Sequence, residues 1–404
     1  MSTSKYILVM LVSTVLLAGC ATTAPKKNVA EQEALQKASL ELPEVQLLDV
    51  WIEIFDPGEL PTKEKASRGL SGEIRDAEAR FMAVHLRGVM EKTGYWGAVR
   101  VVPENTEGAE VLVQGTILAS DGEVLTLEIT AQDASGREWF KRIYQASATA
   151  DDYRDMQTGS DSFEPVYHAI ANDLAEYRSG LTDEDRLKIR QIADMRFARD
   201  MLPDAFSGYV SKDEKGSYQL VKLPAEDDPA YQRVRIIRER DLLLIDTLNG
   251  HYDNFYRDLS FPYEEWRKAR SIEAEALREV KKKANTRKAL GVAAIVGAIA
   301  IEALGGSNTR ASTGTARDVM VIGGLYAIKS GMDINAQSTI HQEAIEELGI
   351  SFSSETKPLV VEVEGEVHEL TGSAEAQYEQ WRDLMRKIYA SETGLPPAHG
   401  GTGD

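Results

Sequence analysis

The chain has 404 residues, 43% hydrophobic and 27% charged, which places it in the globular range and outside the disordered one. Its formal net charge of −19 excludes a general nucleic-acid or anionic-lipid surface, because phosphate binding draws its affinity from clustered Lys and Arg. Cys20 is the only cysteine, which excludes disulfides, thiol nucleophiles and thiolate metal sites in the rest of the chain, so packing alone must stabilise the fold.

Lys5 in a short polar start, an apolar run from about Tyr6 to Leu17 and small residues before Cys20 have the tripartite build of a secretory signal. The apolar run is shorter than the ~20 residues a membrane-spanning helix needs. The Leu17-Ala18-Gly19-Cys20 box resembles that of bacterial lipoproteins. That resemblance implies cleavage of residues 1–19, a lipid on the sulfur of Cys20, and, with Ala21 in place of aspartate, delivery to the periplasmic face of the outer membrane. The remaining 404 − 19 = 385 residues suffice for two or three domains. Residues 20–43, rich in Ala, Thr, Lys, Gln and Glu, are expected to be a tether holding the body off the membrane.

From Val45 to Phe55 the β-forming residues predict a strand, ended by Asp56-Pro57-Gly58. Ala79, Met82, Ala83, Leu86, Val89 and Met90 predict a helix over Asp76–Thr93. Strands are expected over Val99–Val102, Glu110–Ala119, Val124–Ala131 and Glu138–Tyr144, turning at Ser120-Asp121-Gly122 and Ala134-Ser135-Gly136. Leu125, Leu127, Ile129 and Ala131 alternate with Thr126, Glu128 and Thr130, which predicts one covered and one wet face. A helix from about Phe163 to Tyr177 presents Val166, Ile170, Leu174 and Tyr177 to cover it.

This element order, with phrases such as Ala109-Glu110-Val111-Leu112-Val113-Gln114-Gly115-Thr116-Ile117 and Asp133-Ala134-Ser135-Gly136-Arg137-Glu138-Trp139, resembles a small α/β domain over residues 44–178. It is the domain shared by the curli-secretion lipoprotein, the amino-terminal domain of TolB and the lipoprotein activators of penicillin-binding proteins. The resemblance implies protein contacts in the periplasm and no chemistry, and it transfers no binding residue. The curli secretor's pore-forming hairpins have no counterpart here.

From Thr182 the pattern becomes helical. Thr182 as N-cap and Asp183-Glu184-Asp185 in the first turn open a helix to about Leu202. A possible hairpin spans Tyr209 to Leu223, and Asp227-Asp228-Pro229 opens a helix to about Leu259. Phe261-Pro262 is expected to break it, with a further helix from Tyr263 toward Leu304, on the order of 60 Å long. The expected fold is α+β: a small α/β sandwich, then a mostly helical domain over 180–356, then a hairpin and helix over 357–391 and a disordered tail over 392–404.

Within the helical domain an apolar hairpin is expected over about 289–331, after the charged stretch Glu279–Lys288. Small residues recur every fourth position, at Ala289, Ala293 and Gly297 in one arm and Gly323, Ala327 and Gly331 in the other, which allows close helix approach. Three readings stay open: burial in the core or in a homo-oligomer interface, insertion in the bilayer, or a groove for a partner protein. An apolar face this wide must be hidden from water on any of them.

Tyr378-Glu379-Gln380-Trp381-Arg382 echoes Tyr263-Glu264-Glu265-Trp266-Arg267. The rings serve either as core anchors or as a platform for a peptidoglycan sugar. His85, His168, His251, His341, His368 and His399 are scattered, and His341 lacks the second histidine at i+4 that a zinc helix needs. Ser71 in Gly69-Leu70-Ser71-Gly72 lacks the spacing of a nucleophile elbow and reads as loop, and the Gly305-Gly306 loop lacks the Gly-Lys-Ser/Thr ending of a phosphate loop. The expectation is a noncatalytic, lipid-anchored envelope scaffold with no cofactor or metal. Its partners are the membrane through its lipid, periplasmic proteins and a second copy of itself, with no nucleic acid. The alternative is a membrane-active or transport accessory protein whose hairpin enters the bilayer.

Overall fold

The computed structural model describes residues 24–29, 33–59, 71–155, 161–214, 216–302, 341–352, 358–363 and 366–393, the stretch 276–302 as backbone alone. The α+β reading holds: a mixed sheet comes first and a helical region follows.

Six strands form the main sheet: β1 Lys26–Asn28, β2 Val50–Glu53, β3 Val99–Val102, β4 Val111–Ser120, β5 Val124–Asp133 and β6 Glu138–Ser147. Their order is β1-β6-β5-β4-β2-β3. β4, β5 and β6 are an antiparallel meander, while β2 is flanked by parallel neighbours, β3 and β4. A parallel neighbour requires a crossover, which helix α1, Gly72–Glu91, supplies between β2 and β3. Gly122 (φ +87°) and Gly136 (φ +78°) close the meander's turns, as their Asp-Gly and Ser-Gly positions predict.

Leu125, Leu127, Ile129 and Ala131 are fully buried and alternate with half-buried Thr126, Glu128 and Thr130. On β4 the alternation stays regular through Gly115, whose missing side chain leaves room for the Phe55 ring, and then shifts at an irregularity between Ile117 and Ala119. The short helix α2, Ala150–Asp155, ties its Tyr153 hydroxyl to the Gly122 carbonyl at the turn (2.7 Å), while besides α1 the covering layer includes α3, Glu164–Ser179, whose Val166, Ile170 and Leu174 are wholly buried. The strand expected over 45–55 is shorter, because Glu44–Gln46 forms a 3-10 turn.

The expected tether over 20–43 is docked over residues 25–29 and 33–38, while Leu40 beyond them stays exposed. Residues Pro25 to Val29 add β1 alongside β6, with Ile143 N–H donating to Pro25 (3.0 Å) and Val29 N–H to Gln145 (2.8 Å). Asn172 on α3 then accepts from Gln36 N–H (2.8 Å) and donates to the Ala34 carbonyl (2.9 Å). Composition suggested a linker because these residues bury little apolar surface; backbone pairing with an open sheet edge needs none.

Helix α4, Asp183–Met201, begins with the expected cap: Thr182 and Asp185 form a reciprocal capping box. A one-turn helix α5, Pro203–Phe206, and the hairpin β7–β8, Val210–Lys212 with Tyr218–Leu220, follow. Asp228 caps the next helix, accepting from Ala230 N–H (2.8 Å). This helix, α6, runs without interruption from Pro229 to Glu302 with Pro262 inside it, 74 residues and about 110 Å. The break expected at Phe261-Pro262 is therefore corrected. Tyr252, Phe255 and Leu259 before the proline and Tyr263 and Trp266 after it are buried on one face, and that packing outweighs the missing N–H. A helix α7 over 341–352, the hairpin β9–β10, Leu359–Val363 with Glu366–Leu370, and α8, Ala374–Thr393, complete the described chain.

The boundary expected near residue 180 is not a gap in packing, since one buried cluster runs from Leu48 to Met385. Arginines join the two regions: Arg100 to Asp246 (2.6 Å), Arg190 to the Glu44 carbonyl (3.1 Å), Arg196 to Glu107 (2.5 Å) and Arg238 to the Gly108 carbonyl (2.8 Å).

Candidate functional site

Three clusters of polar side chains can be built from the residues upward. The first is a cleft of about 740 Å³ at the carboxyl ends of β2 and β3, walled by α1 on one side and α8 on the other. Crevices at this end of parallel strands are the usual ligand positions in open sheets. Its floor is apolar (Ile54, Phe55, Pro103, Ala79) and its walls carry Asp76, Arg80, Glu104, Asp200, Glu375, Glu379, Arg382 and Arg386. Arg80 pairs with Glu375 (3.2 Å), Arg386 with Asp200 (3.2 Å), and Arg382 with Asp200 and with the Tyr378 hydroxyl (3.0 Å). Each guanidinium is thus committed to a carboxylate that fixes α8. Burial pushes the Asp76 carboxyl up despite neighbouring Arg80. At the lip, Asn105 takes φ +59° and donates its N–H to Glu53 (3.1 Å), a left-handed turn that asparagine tolerates.

The second cluster is the echoed Tyr-x-x-Trp-Arg segments, and both are core anchors. Tyr263, Trp266, Tyr378 and Trp381 are each at most 5% exposed, so none offers a face to a sugar. Each arginine lies over the ring four residues before it, Arg267 4.3 Å from the Tyr263 centroid and Arg382 5.7 Å from that of Tyr378. Arg267 also forms a bidentate pair with buried Asp161 (3.0 and 2.8 Å). Burial pushes the Asp161 carboxyl up, but the Arg267 guanidinium, together with nearby His85 and the Phe163 N–H, more than offsets it and holds the group below the usual carboxylate range. Glu78, wholly buried, accepts from Tyr263 (2.7 Å) and Ser120 (2.5 Å); burial pushes its carboxyl up.

The third cluster escaped sequence reasoning. His85 on α1 places Nε2 2.6 Å from Glu164 and Nδ1 2.7 Å from the Tyr256 hydroxyl on α6. His168, one turn beyond Glu164 on α3, lies 3.4 Å from the same carboxylate and donates Nδ1–H to the Glu33 carbonyl (2.7 Å). Hydrogen bonds and charge from both imidazoles outweigh burial and hold Glu164 well below the usual range. The only sequence signal was the i,i+4 spacing of Glu164 and His168, because His85 comes from another helix. Glu110, pushed up to about 7 chiefly by burial, accepts from Asp49 N–H (2.9 Å) and lies 3.6 Å from Arg190.

Cys20, Gly323, Ala327 and Gly331 lie outside the described residues, as do the second arm of the expected hairpin and residues 394–404. Ala289, Ala293 and Gly297 lie on the last turns of α6, along one helical row. Ser71, read as loop, is the N-cap of α1, accepting from Ile74 N–H (3.2 Å). Among the described residues no three His, Cys, Asp or Glu side chains converge as metal ligands, and no helix is long and apolar enough to cross a membrane. Compared with protein-family models, with curated proteins and with solved structures, the chain shows no match to any of the three.

Proposed function

We propose that this protein is a noncatalytic lipid-anchored envelope scaffold that associates with itself through the small-residue row at the end of α6. One observation carries the reading: α6 is a single helix whose first half is fastened to the sheet domain and whose last turns bear Ala289, Ala293 and Gly297. A helix continuous across Pro262 transmits the body's position to that row as a rigid rod, with about 54 Å of helix beyond Trp266. The fully paired arginines of the cleft support structural work there in preference to turnover. The element order β2-α1-β3-β4-β5-β6-α2-α3, with only the short α2 added to the expected order, supports the likeness of residues 44–178 to the periplasmic contact domain named above.

The test compares a lipid-free Cys20→Ser form with the same form lacking residues 289–328, by sedimentation and liposome flotation. The scaffold reading expects the full form to associate in solution and the deletion to sediment as a monomer with unchanged sheet signal. If the full form is monomeric and instead floats with liposomes, the hairpin enters lipid and the scaffold reading fails.

A further inference from the structure

The two edges of the main sheet are closed by different means. At β3, the Asn249 amide of α6 pairs with the backbone of Val101. At β6, closure comes from the chain's own beginning: Pro25 is hydrogen-bonded to Ile143, and β1 continues in register as Lys26↔Ile143, Lys27↔Tyr144 and Asn28↔Gln145. Lys27 adds an ion pair to Asp173 on α3 (2.9 Å), and the Glu33–Ala38 segment is pinned further along α3 and at Thr93.

This docking has a metric consequence for an anchored chain. Pro25 is five residues from Cys20, and five residues reach at most about 18 Å even when fully extended. Without β1, free chain would extend to about Glu33, where the contacts with α3 begin, and the body could rotate and stand farther off the bilayer. With β1 in place, the point of attachment to the fold is the β1/β6 edge itself.

We infer that the β1/β6 edge is the membrane-facing side of the folded body, held within about 18 Å of the lipid surface, with the β3 edge and its covering helix α6 on the far side. The occupant of this surface is the phospholipid headgroup layer. The inference rests on the proposed lipidation of Cys20. Geometry carries it, not attraction: Lys141 and Arg142 at the edge are already paired with Glu128 and Asp173, and the Debye length of ~8 Å is shorter than the reach. Sheet strands are ~4.8 Å apart and a packed helix adds ~10 Å, so β6 and the outer face of α6 differ in height by about 29 Å.

The test exploits the cysteine count. Once Cys20 carries lipid, a cysteine introduced by Lys141→Cys on β6 or by Leu243→Cys, at an exposed position of α6 (67% exposed), is the only free thiol in the chain. Lipidated full-length protein bearing a donor dye at either position is placed in vesicles with acceptor-labelled headgroups, after mass spectrometry of the amino-terminal peptide. An unmodified Cys20 overturns the anchoring reading and the inference with it. With lipid confirmed, energy transfer about twofold greater at 141 than at 243 is expected from the ~29 Å height difference. Equal or reversed transfer overturns the orientation while leaving lipidation standing. Lys27→Pro, checked for an unchanged far-ultraviolet spectrum, breaks β1 and is expected to lower the transfer at 141; transfer unchanged by it shows that β1 does not set the distance and also overturns the inference.

Discussion

The side-chain amide of Asn249 pairs with both backbone groups of Val101, accepting from its N–H and donating to its carbonyl, each at 2.8 Å. Its oxygen also accepts from Arg87 (2.7 Å) and its nitrogen donates to the Ile245 carbonyl (2.8 Å), so this buried amide is fully satisfied. One residue of a helix thus stands in for a neighbouring strand at the β3 edge. Asn249→Ala leaves buried polar groups of Val101 and Arg87 without partners and is expected to cost about 2–4 kcal/mol in urea unfolding. Asn249→Asp should recover little, because a carboxylate cannot donate to the Val101 carbonyl. A loss below about 0.5 kcal/mol for Asn249→Ala would mean that this edge needs no such partner.

Glu110 supplies a pH dependence with a definite sign. Its folded-state pKa, pushed up to about 7 chiefly by burial, lies above the unfolded value near 4.5, so the folded state binds the proton more tightly. The stability it contributes is fully present below about pH 4.5 and is lost as pH rises toward 7. Glu110→Gln keeps an acceptor for Asp49 N–H and removes the ionisation. Its gain in stability over the parent should therefore grow between pH 5 and 7.5, by on the order of 1–3 kcal/mol. A constant difference across that range would refute the assignment.

His168 responds in the same direction through another cause. Its Nε2 faces Glu164 and its Nδ1 donates to Glu33, so the hydrogen bond to Glu164, stronger than the opposing burial, raises its pKa above the usual value of about 6.5. The stabilisation this adds is present below about pH 6.5 and fades as pH rises through the raised value. Imidazole resonances followed by NMR should titrate above the free value in the parent and shift down in Glu164→Gln. The same substitution should loosen the Glu33 segment, read as faster amide exchange at Gln36.

Pro262 leaves the Asp258 carbonyl without its helical partner, because a proline nitrogen has no hydrogen to donate. Since α6 is continuous there, Pro262→Ala should raise the stability by about 1–2 kcal/mol, part of the ~3 kcal/mol helix preference being offset by the freer unfolded chain. Thermal unfolding checks this, and a destabilised variant would mark the proline as part of the packing.

Much of the fold was legible in local pattern. The alternation along β5, the turns at Gly122 and Gly136, the Thr182 capping box, the Asp228 cap and the C-terminal hairpin and helix depend on residues a few positions apart, and spacing alone reveals them. The echoed Tyr-x-x-Trp-Arg segments were recognisable as a pair, although their partners, Asp161 and Asp200, were not.

Sequence alone determined the meander strands, the crossover helix and the capped helix starts, because periodicity and capping act over one or two turns. Tertiary structure decided what those elements do to one another: that the apparent tether is a sheet strand, that α6 passes through its proline, and that His85 meets Glu164 79 residues away. The physical reason is common to all three. Each outcome is set by a surface built from residues remote in the chain, an open edge, a packed face or a shared carboxylate, whose interaction energy exceeds the local preference that the sequence displays.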